Sequence, residues 1–422
     1  MSTGQKVLRS FAARFCNAWC WEVVCKEINK VSYYKRTKGF LTPIEKTVKS
    51  LADYIKLFSS NQFKNHIFRG ENTDYYSILN YYSITSSAFR ERNGKRPFVN
   101  QTIEYPFFQM KNEFKREIFH RLTSDERNDF LAFAQHHGIP TNLIDFTRSY
   151  LVALFFACQP YKGADGRMNK EKGFVYLLEN DLIDITRLLE KVGDENILDL
   201  FVQGKNNMII DFYRFFSDYK KRCPQKFHHY FKQLENNSKL LHSRRTRKST
   251  RFLAYNNGQY EGRINYKYVQ KNIPLLEKIK KDHDDADTCV LEYTLKLQDY
   301  LKTISEYRYN GCPVFWIDCI PNFIYTPMLS FERGRNQKGL FVYQAYLSFD
   351  DSVYNYHVLS RQCVSPNVIV VIENKNIILN DLDSIDINEK FIYGDYDNTA
   401  KYIKRKYDET HQAPPKPTTK TR

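Results

Sequence analysis

Apolar residues recur along this chain in two rhythms, one helical and one alternating. From Ser50, the positions Leu51, Tyr54, Ile55 and Phe58 share one helical face, with Ser50 placed to cap it. Asn65 to Arg69 reads as a short strand leading to Gly70. Phe114, Ile118 and Phe119 predict a second helix over 113–121. Ser124-Asp125-Glu126 opens a third, which carries Phe130, Leu131, Phe133 and Ala134 and is ended by Gly138 and Pro140. Leu143-Ile144 predicts a short strand, 150–157 a buried helix and 173–178 a strongly buried strand. Residues 181–288 then change to long helical patterns with few strand signals. Strands resume at 288–295, 314–317, 340–343 and 368–372, the last almost purely apolar and β-branched. A basic helix over 396–407 closes the pattern.

These elements predict an α+β fold, with strands gathered from distant parts of the chain and helices around them. The expected organisation is a helical leader over 1–48 and a first main segment over 49–180. A basic helical insertion over 181–288, a second main segment over 289–407 and a disordered, proline-bearing tail over 408–422 complete it. No internal repeat is visible.

Composition sharpens this picture in three ways. In 422 residues, 42% hydrophobic and 15% aromatic content is ample for a core and excludes a disordered chain. The excess of 64 Lys+Arg over 48 Asp+Glu, a net +16, favours acidic or phosphate-rich partners or else serves as a solubilising surface. Nine cysteines without a CxxC pair argue against a disulfide framework and against a zinc site of standard spacing, and they fit a reducing cytoplasm. No apolar run approaches the roughly 18–20 residues of a membrane span. The first 21 residues lack acids and carry Lys6, Arg9 and Arg14, but the apolar part is broken and shows no convincing cleavage site.

Three fragments carry candidate chemistry. In Phe68-Arg69-Gly70, a guanidinium on a strand end beside a glycine suits a phosphate or carboxylate; an ion pair with Glu71 is the plain alternative. The stretch 135–149 gathers His136, His137, Thr141, Asp145, Thr147 and Ser149 around a Gly138-Ile139-Pro140 turn. Acid–base work, a hydrolase triad, a His/Asp metal site or a purely structural turn all fit it. The triad reading lacks a nucleophile elbow and the metal reading lacks a second ligand cluster. The third fragment runs from Arg333 through Gln337 to Phe341, just ahead of a strand that begins at a glycine. Separately, 214–251 holds twelve basic residues against two acids, including Arg244, Arg245, Arg247, Lys248 and Arg251, with Phe227, Tyr230, Phe231, Phe252 and Tyr255 nearby. Such a stretch suits nucleic acid.

In order, Phe68–Gly70, Gln135–Thr147, Ala153–Ala157, Gly173–Tyr176 and Arg333–Phe341 resemble the FRG-domain family, with a late echo in Gly394–Lys401. The likeness spans about 50–406. It departs from the family at Asn142 (usually Arg), His137 (usually aromatic) and Phe146 (usually Trp). More distantly, the order of these fragments resembles ADP-ribosyltransferases of the Arg-Ser-Glu type. That likeness implies a mixed or antiparallel sheet core of that kind and NAD as a substrate. Arg69, Gly70, Thr141, Ser149 and Arg333 would hold the nucleotide. Arg69, His136, His137, Asp145, Thr147 and Gln337 would serve the chemistry, Gln337 standing where a catalytic acid is expected. The expected function is an ADP-ribosyltransferase-like effector acting on a protein or nucleic-acid target in microbial defence or toxicity. A non-catalytic nucleic-acid-binding module is the alternative. No metal and no membrane partner is expected.

Overall fold

A computed structural model describes residues 43–73, 84–90, 107–161, 171–248, 277, 279, 287–306, 317–328, 332–348 and 358–410. In chain order the first elements are β1 (Ile44–Val48), α1 (Leu51–Ser59), β2 (His66–Glu71), α2 (Phe107–Ile118), α3 (Ser124–Asn128), α4 (Phe130–His136), β3 (Leu143–Thr147) and α5 (Tyr150–Cys158). Then come β4 (Gly173–Glu179), β5 (Ile183–Asp184), α6 (Thr186–Val192), α7 (Ile197–Gln203), α8 (Met208–Arg222), α9 (Pro224–Lys248) and α10 (Thr288–Glu306). The chain continues through β6 (Phe323–Tyr325), α11 (Glu332–Asn336), β7 (Gly339–Tyr343), β8 (Tyr346–Ser348), β9 (Val358–Arg361) and β10 (Val368–Ile372). It ends in α12 (Lys375–Ser384), α13 (Glu389–Tyr393) and α14 (Tyr396–Thr410).

The fold is α+β, built on an eight-stranded mixed sheet in the order β1-β10-β4-β2-β3-β7-β6-β5. The pairs β1/β10 and β5/β6 are parallel and the others antiparallel. Strands from both ends of the chain meet in it, as the scattered apolar runs imply.

The alternation of side chains sorts the sheet into two faces. Phe68, Val175, Leu177, Val368, Val370 and Ile372 pack on one face beneath α5, α1 and α12. Further along the same face, Leu143, Phe323, Tyr325 and Tyr343 pack beneath the helices of 186–306. The opposite face carries Ile67, Ile144, Phe146, Tyr176, Leu340 and Val342. Two separate helical groups therefore cover one face, and the middle of β3 lies where they meet.

Three sequence expectations need correction. Ile44–Val48 is a strand rather than the end of a helical leader; only Val48 of its residues is buried, so its pairing with β10 and not its own pattern makes it a strand. Residues 288–295 open the 19-residue helix α10 instead of a strand. Val290, Leu291, Leu297, Leu301 and Ile304 of that helix fill the core shared with α7–α9, and tertiary burial outweighs the strand-like start. The helical layer thus runs to 306 and includes the short strand β5, and α14 continues to Thr410, into the expected tail. The leader before 43, the strand at 314–316 and the tail beyond 410 lie outside the described residues.

One tether between the helical layer and the antiparallel pair β8/β9 is ionisable. Asp199 of α7 accepts from the Ser348 amide at 3.0 Å, from the Ser348 hydroxyl and from Asn196 Nδ2 at 2.7 Å. Burial pushes this carboxyl up to about 6, against the hydrogen bonds of Ser348 and Asn196. A carboxyl whose folded pKa lies above its unfolded value stabilises the fold while protonated, and the gain is lost as pH rises through the folded value. Asp199→Asn removes this dependence. The difference in unfolding free energy between variant and wild type should therefore swing by about 2 kcal/mol in the variant's favour from pH ~4 to ~7. The comparison isolates Asp199 from carboxyls of opposite sign. Burial favours raising Asp194, Asp287 and Asp383 as well, but their hydrogen-bonding partners, each including a lysine, hold them below the usual range. Denaturant titrations across that range check the prediction, and a pH-independent difference contradicts it.

Candidate functional site

The site is set by an opening in the sheet. β2 pairs with β4 over six positions but with β3 at only one, Phe68↔Thr147. Beyond that pair the two strands part. Arg69 lies on the opening: its Nη1 donates to the Asp145 carbonyl at 2.7 Å and sits 3.7 Å from the Asp145 carboxylate. Its Nε donates to Glu71 Oε1 at 2.8 Å, and its Nη2 reaches the same oxygen at 2.5 Å. On a strand, residues two apart share a face, so the sequence itself places this pair together. Arg90 adds a second cation 3.7 Å from Glu71. The Arg69 and Glu71 side chains are each only 10% exposed. The guanidinium is thus largely committed to holding β2 and β3 in place, and a phosphate would have to compete with Glu71 for it.

Gly70 faces the helix instead of an open pocket. A Cβ there would collide with the Ala153 carbonyl oxygen and come within 2.8 Å of the Ala157 amide nitrogen. Gly173, on the adjacent strand, meets the Ala157 carbonyl in the same way. The two glycines let the apolar helix α5 lie directly on the sheet, a packing role in place of the expected nucleotide contact.

Asp145 is different. It sits mid-strand with its side chain 68% exposed, paired across the ladder with the half-buried Phe341. Gln135 Nε2 donates to its Oδ1 at 2.8 Å, and the Thr141 hydroxyl donates in turn to Gln135 Oε1. Thr141 is buried and also accepts from the Leu143 amide, so it braces Gln135 and does not face a ligand. This Gln135–Asp145 contact was not singled out from sequence, because it depends on how α4 docks on β3.

The other candidates divide between support and surface. Thr147 donates its hydroxyl to the Gln337 carbonyl at 2.6 Å and accepts from the Ser149 amide at 2.9 Å. Ser149 caps α5 through the Val152 amide. The Gln337 side chain donates to the Ile392 carbonyl at 3.2 Å, tying the turn before β7 to α13. All three act as joints. His137 packs against Phe133 with ring centroids 4.4 Å apart and stands edge-on to His136. Burial, then the neighbouring His137 and Arg333, hold His136 below the usual imidazole range, so it is largely neutral at pH 7. Arg333 stacks over Tyr393 at 5.0 Å and remains exposed, as do Arg148 and Lys338, which are linked through their backbones. Asn142 is buried, exchanging backbone and side-chain hydrogen bonds with Gln344.

Three of the twelve basic residues are engaged internally. Lys220 pairs with Asp287, Lys226 with Glu179 and Asp181, and Arg222 with the Leu182 carbonyl. Phe227, Tyr230 and Phe231 belong to the core beneath α9, so they are not free stacking platforms. Arg244, Arg245, Arg247 and Lys248 close α9, while Arg251, Phe252 and Tyr255 lie outside the described residues. Among the described residues there is no group of three or more His, Cys, Asp or Glu side chains arranged to hold a metal, and no helix is long and apolar enough to cross a membrane.

The opening, Gly70 and the braced aspartate all fall in one continuous stretch. The FRG domain family model matches residues 64–165. The matched FRG region runs from just before β2 through α5 and so contains Arg69, Gly70, Gln135 and Asp145. Arg333, Gln337 and the helical layer lie outside it. No curated protein and no solved structure gives a significant match.

Proposed function

We infer that the FRG region binds an NAD-type nucleotide at the β2–β3 opening and transfers its ADP-ribosyl group to a macromolecular acceptor. The observation that carries this reading is Asp145: an exposed carboxylate held by a braced glutamine, with exposed cations on the segments that adjoin its strand. A carboxylate is the natural acceptor for ribose hydroxyls, and it stabilises the oxocarbenium character that develops as a glycosidic bond breaks. Arg148, Arg333 and Lys338 would receive the diphosphate, and Phe341 offers an apolar floor. In the transfer, the bond between nicotinamide and ribose breaks and nicotinamide leaves with the electron pair. The acceptor then bonds to the ribose carbon and gives up its proton, which neutral His136 is suited to take. Asp145 therefore replaces Gln337 as the chemical group, and Arg69 becomes the residue that holds Asp145 in place.

The test is incubation of the protein with labelled NAD and cell extract, scored for transfer and nicotinamide release. Asp145→Asn alters an exposed side chain, so it should fold normally and lose at least about 100-fold in rate, in line with loss of a transition-state charge partner. Absence of transfer by the wild type, or full activity in the variant, would refute the reading.

A further inference from the structure

The ion pairs and hydrogen bonds described between the last helix and the body lie along one side of it. Tyr402 donates to Asp383 at 2.6 Å, Lys406 pairs with Asp383 at 3.0 Å and Arg405 with Glu389 at 2.9 Å, which fasten α14 to α12 and α13. On the other side stand Tyr396, Ala400, Ile403 and Tyr407, with Tyr396 94%, Ile403 47% and Tyr407 64% exposed. At 100° per residue these four fall within about 60° of one another, a continuous apolar stripe along the helix. A 15-residue helix is marginal by itself, and this one shows its apolar stripe to solvent.

The stripe has a further property. Its spacings, four, three and four residues, read the same in both directions. An antiparallel copy would set Tyr396 against Tyr407 and Ala400 against Ile403, with the small alanine letting the helices approach closely. Asp397 and Lys404 lie on one flank of the stripe, and a twofold axis brings that flank against itself. Asp397 of each copy then faces Lys404 of the other. We propose that α14 is a self-docking helix through which two copies of this chain associate antiparallel along Tyr396, Ala400, Ile403 and Tyr407. One helix pair falls at the low end of interface size, so the dimer is weak and forms in the micromolar range.

Sedimentation velocity on the full chain across a concentration series tests this. The wild type should show a reversible monomer–dimer equilibrium. Ile403→Asp changes an exposed position and should weaken it at least about tenfold. Asp397→Lys and Lys404→Asp should each weaken association by about threefold or more, and the double exchange should restore it, since the charges again oppose. A protein that stays monomeric throughout would mean that the stripe serves another partner. That result would overturn the proposal, as would a dimer indifferent to Ile403→Asp.

Discussion

Gly70→Ala should destabilise the protein by about 3 kcal/mol or prevent folding, the largest effect expected of a methyl group added at any of the described glycines. The added carbon would meet the Ala153 carbonyl oxygen and approach the Ala157 amide nitrogen to 2.8 Å. Both are backbone atoms, so no rotamer change relieves the clash. Either β2 or α5 must move, and each is locked into the core that also holds Phe68, Leu154, Phe155 and Val175. Gly173→Ala should act similarly, since its new carbon would meet the Ala157 carbonyl. Gly334→Ala is the control: no atom lies within 4 Å of the added carbon, and alanine favours the short helix that contains it. Thermal or denaturant unfolding of the three variants checks this. A Gly70→Ala protein within about 0.5 kcal/mol of wild type would show that α5 does not sit on the sheet as described.

Arg69→Ala should cost about 3 kcal/mol or more, for a reason unrelated to ligand binding. Removing the guanidinium leaves Glu71 buried, with Arg90, 3.7 Å away, as the remaining cation that pairs with it among the described residues. It also leaves the Asp145 carbonyl without its donor at the sheet opening. Pairing the change with Glu71→Gln removes the stranded charge and should recover more than half of the loss. Denaturation midpoints of the single and double variants decide the point, and a single-variant loss below about 1 kcal/mol would contradict it. The consequence for function is practical. A loss of activity in Arg69→Ala would report damage to the sheet as much as to a nucleotide contact, so Asp145 is the residue on which to test chemistry.

What was legible in the sequence follows from what is local. Strands β4, β7 and β10 declare themselves because both faces or alternate faces are buried over several residues. The Arg69–Glu71 pair is readable because strand geometry alone puts residues two apart on one face. The Ser50 and Ser149 caps fall where their elements begin. What was not legible depends on contacts between distant segments. Strand β1 is mostly polar and becomes a strand through β10, more than 300 residues away in the chain. The start of α10 alternates like a strand, and only the surface offered by α8 and α9 makes its helical face the buried one. The role of Gly70 could not be read, since a glycine beside an arginine serves a ligand or a helix equally well until the opposing face is known. Gln135 opens the segment that resembles the family, but nothing local marks it as the partner of Asp145. Its partner lies ten residues on, across a turn whose geometry sets their separation.

Calorimetric titration of NAD into the wild type and Asp145→Asn shows whether an NAD-type nucleotide binds at Asp145. Saturable binding to the wild type is expected, weakened at least about tenfold in the variant, as loss of a charged hydrogen-bond acceptor implies. No binding to a folded wild type, or equal affinity in the two proteins, would contradict it.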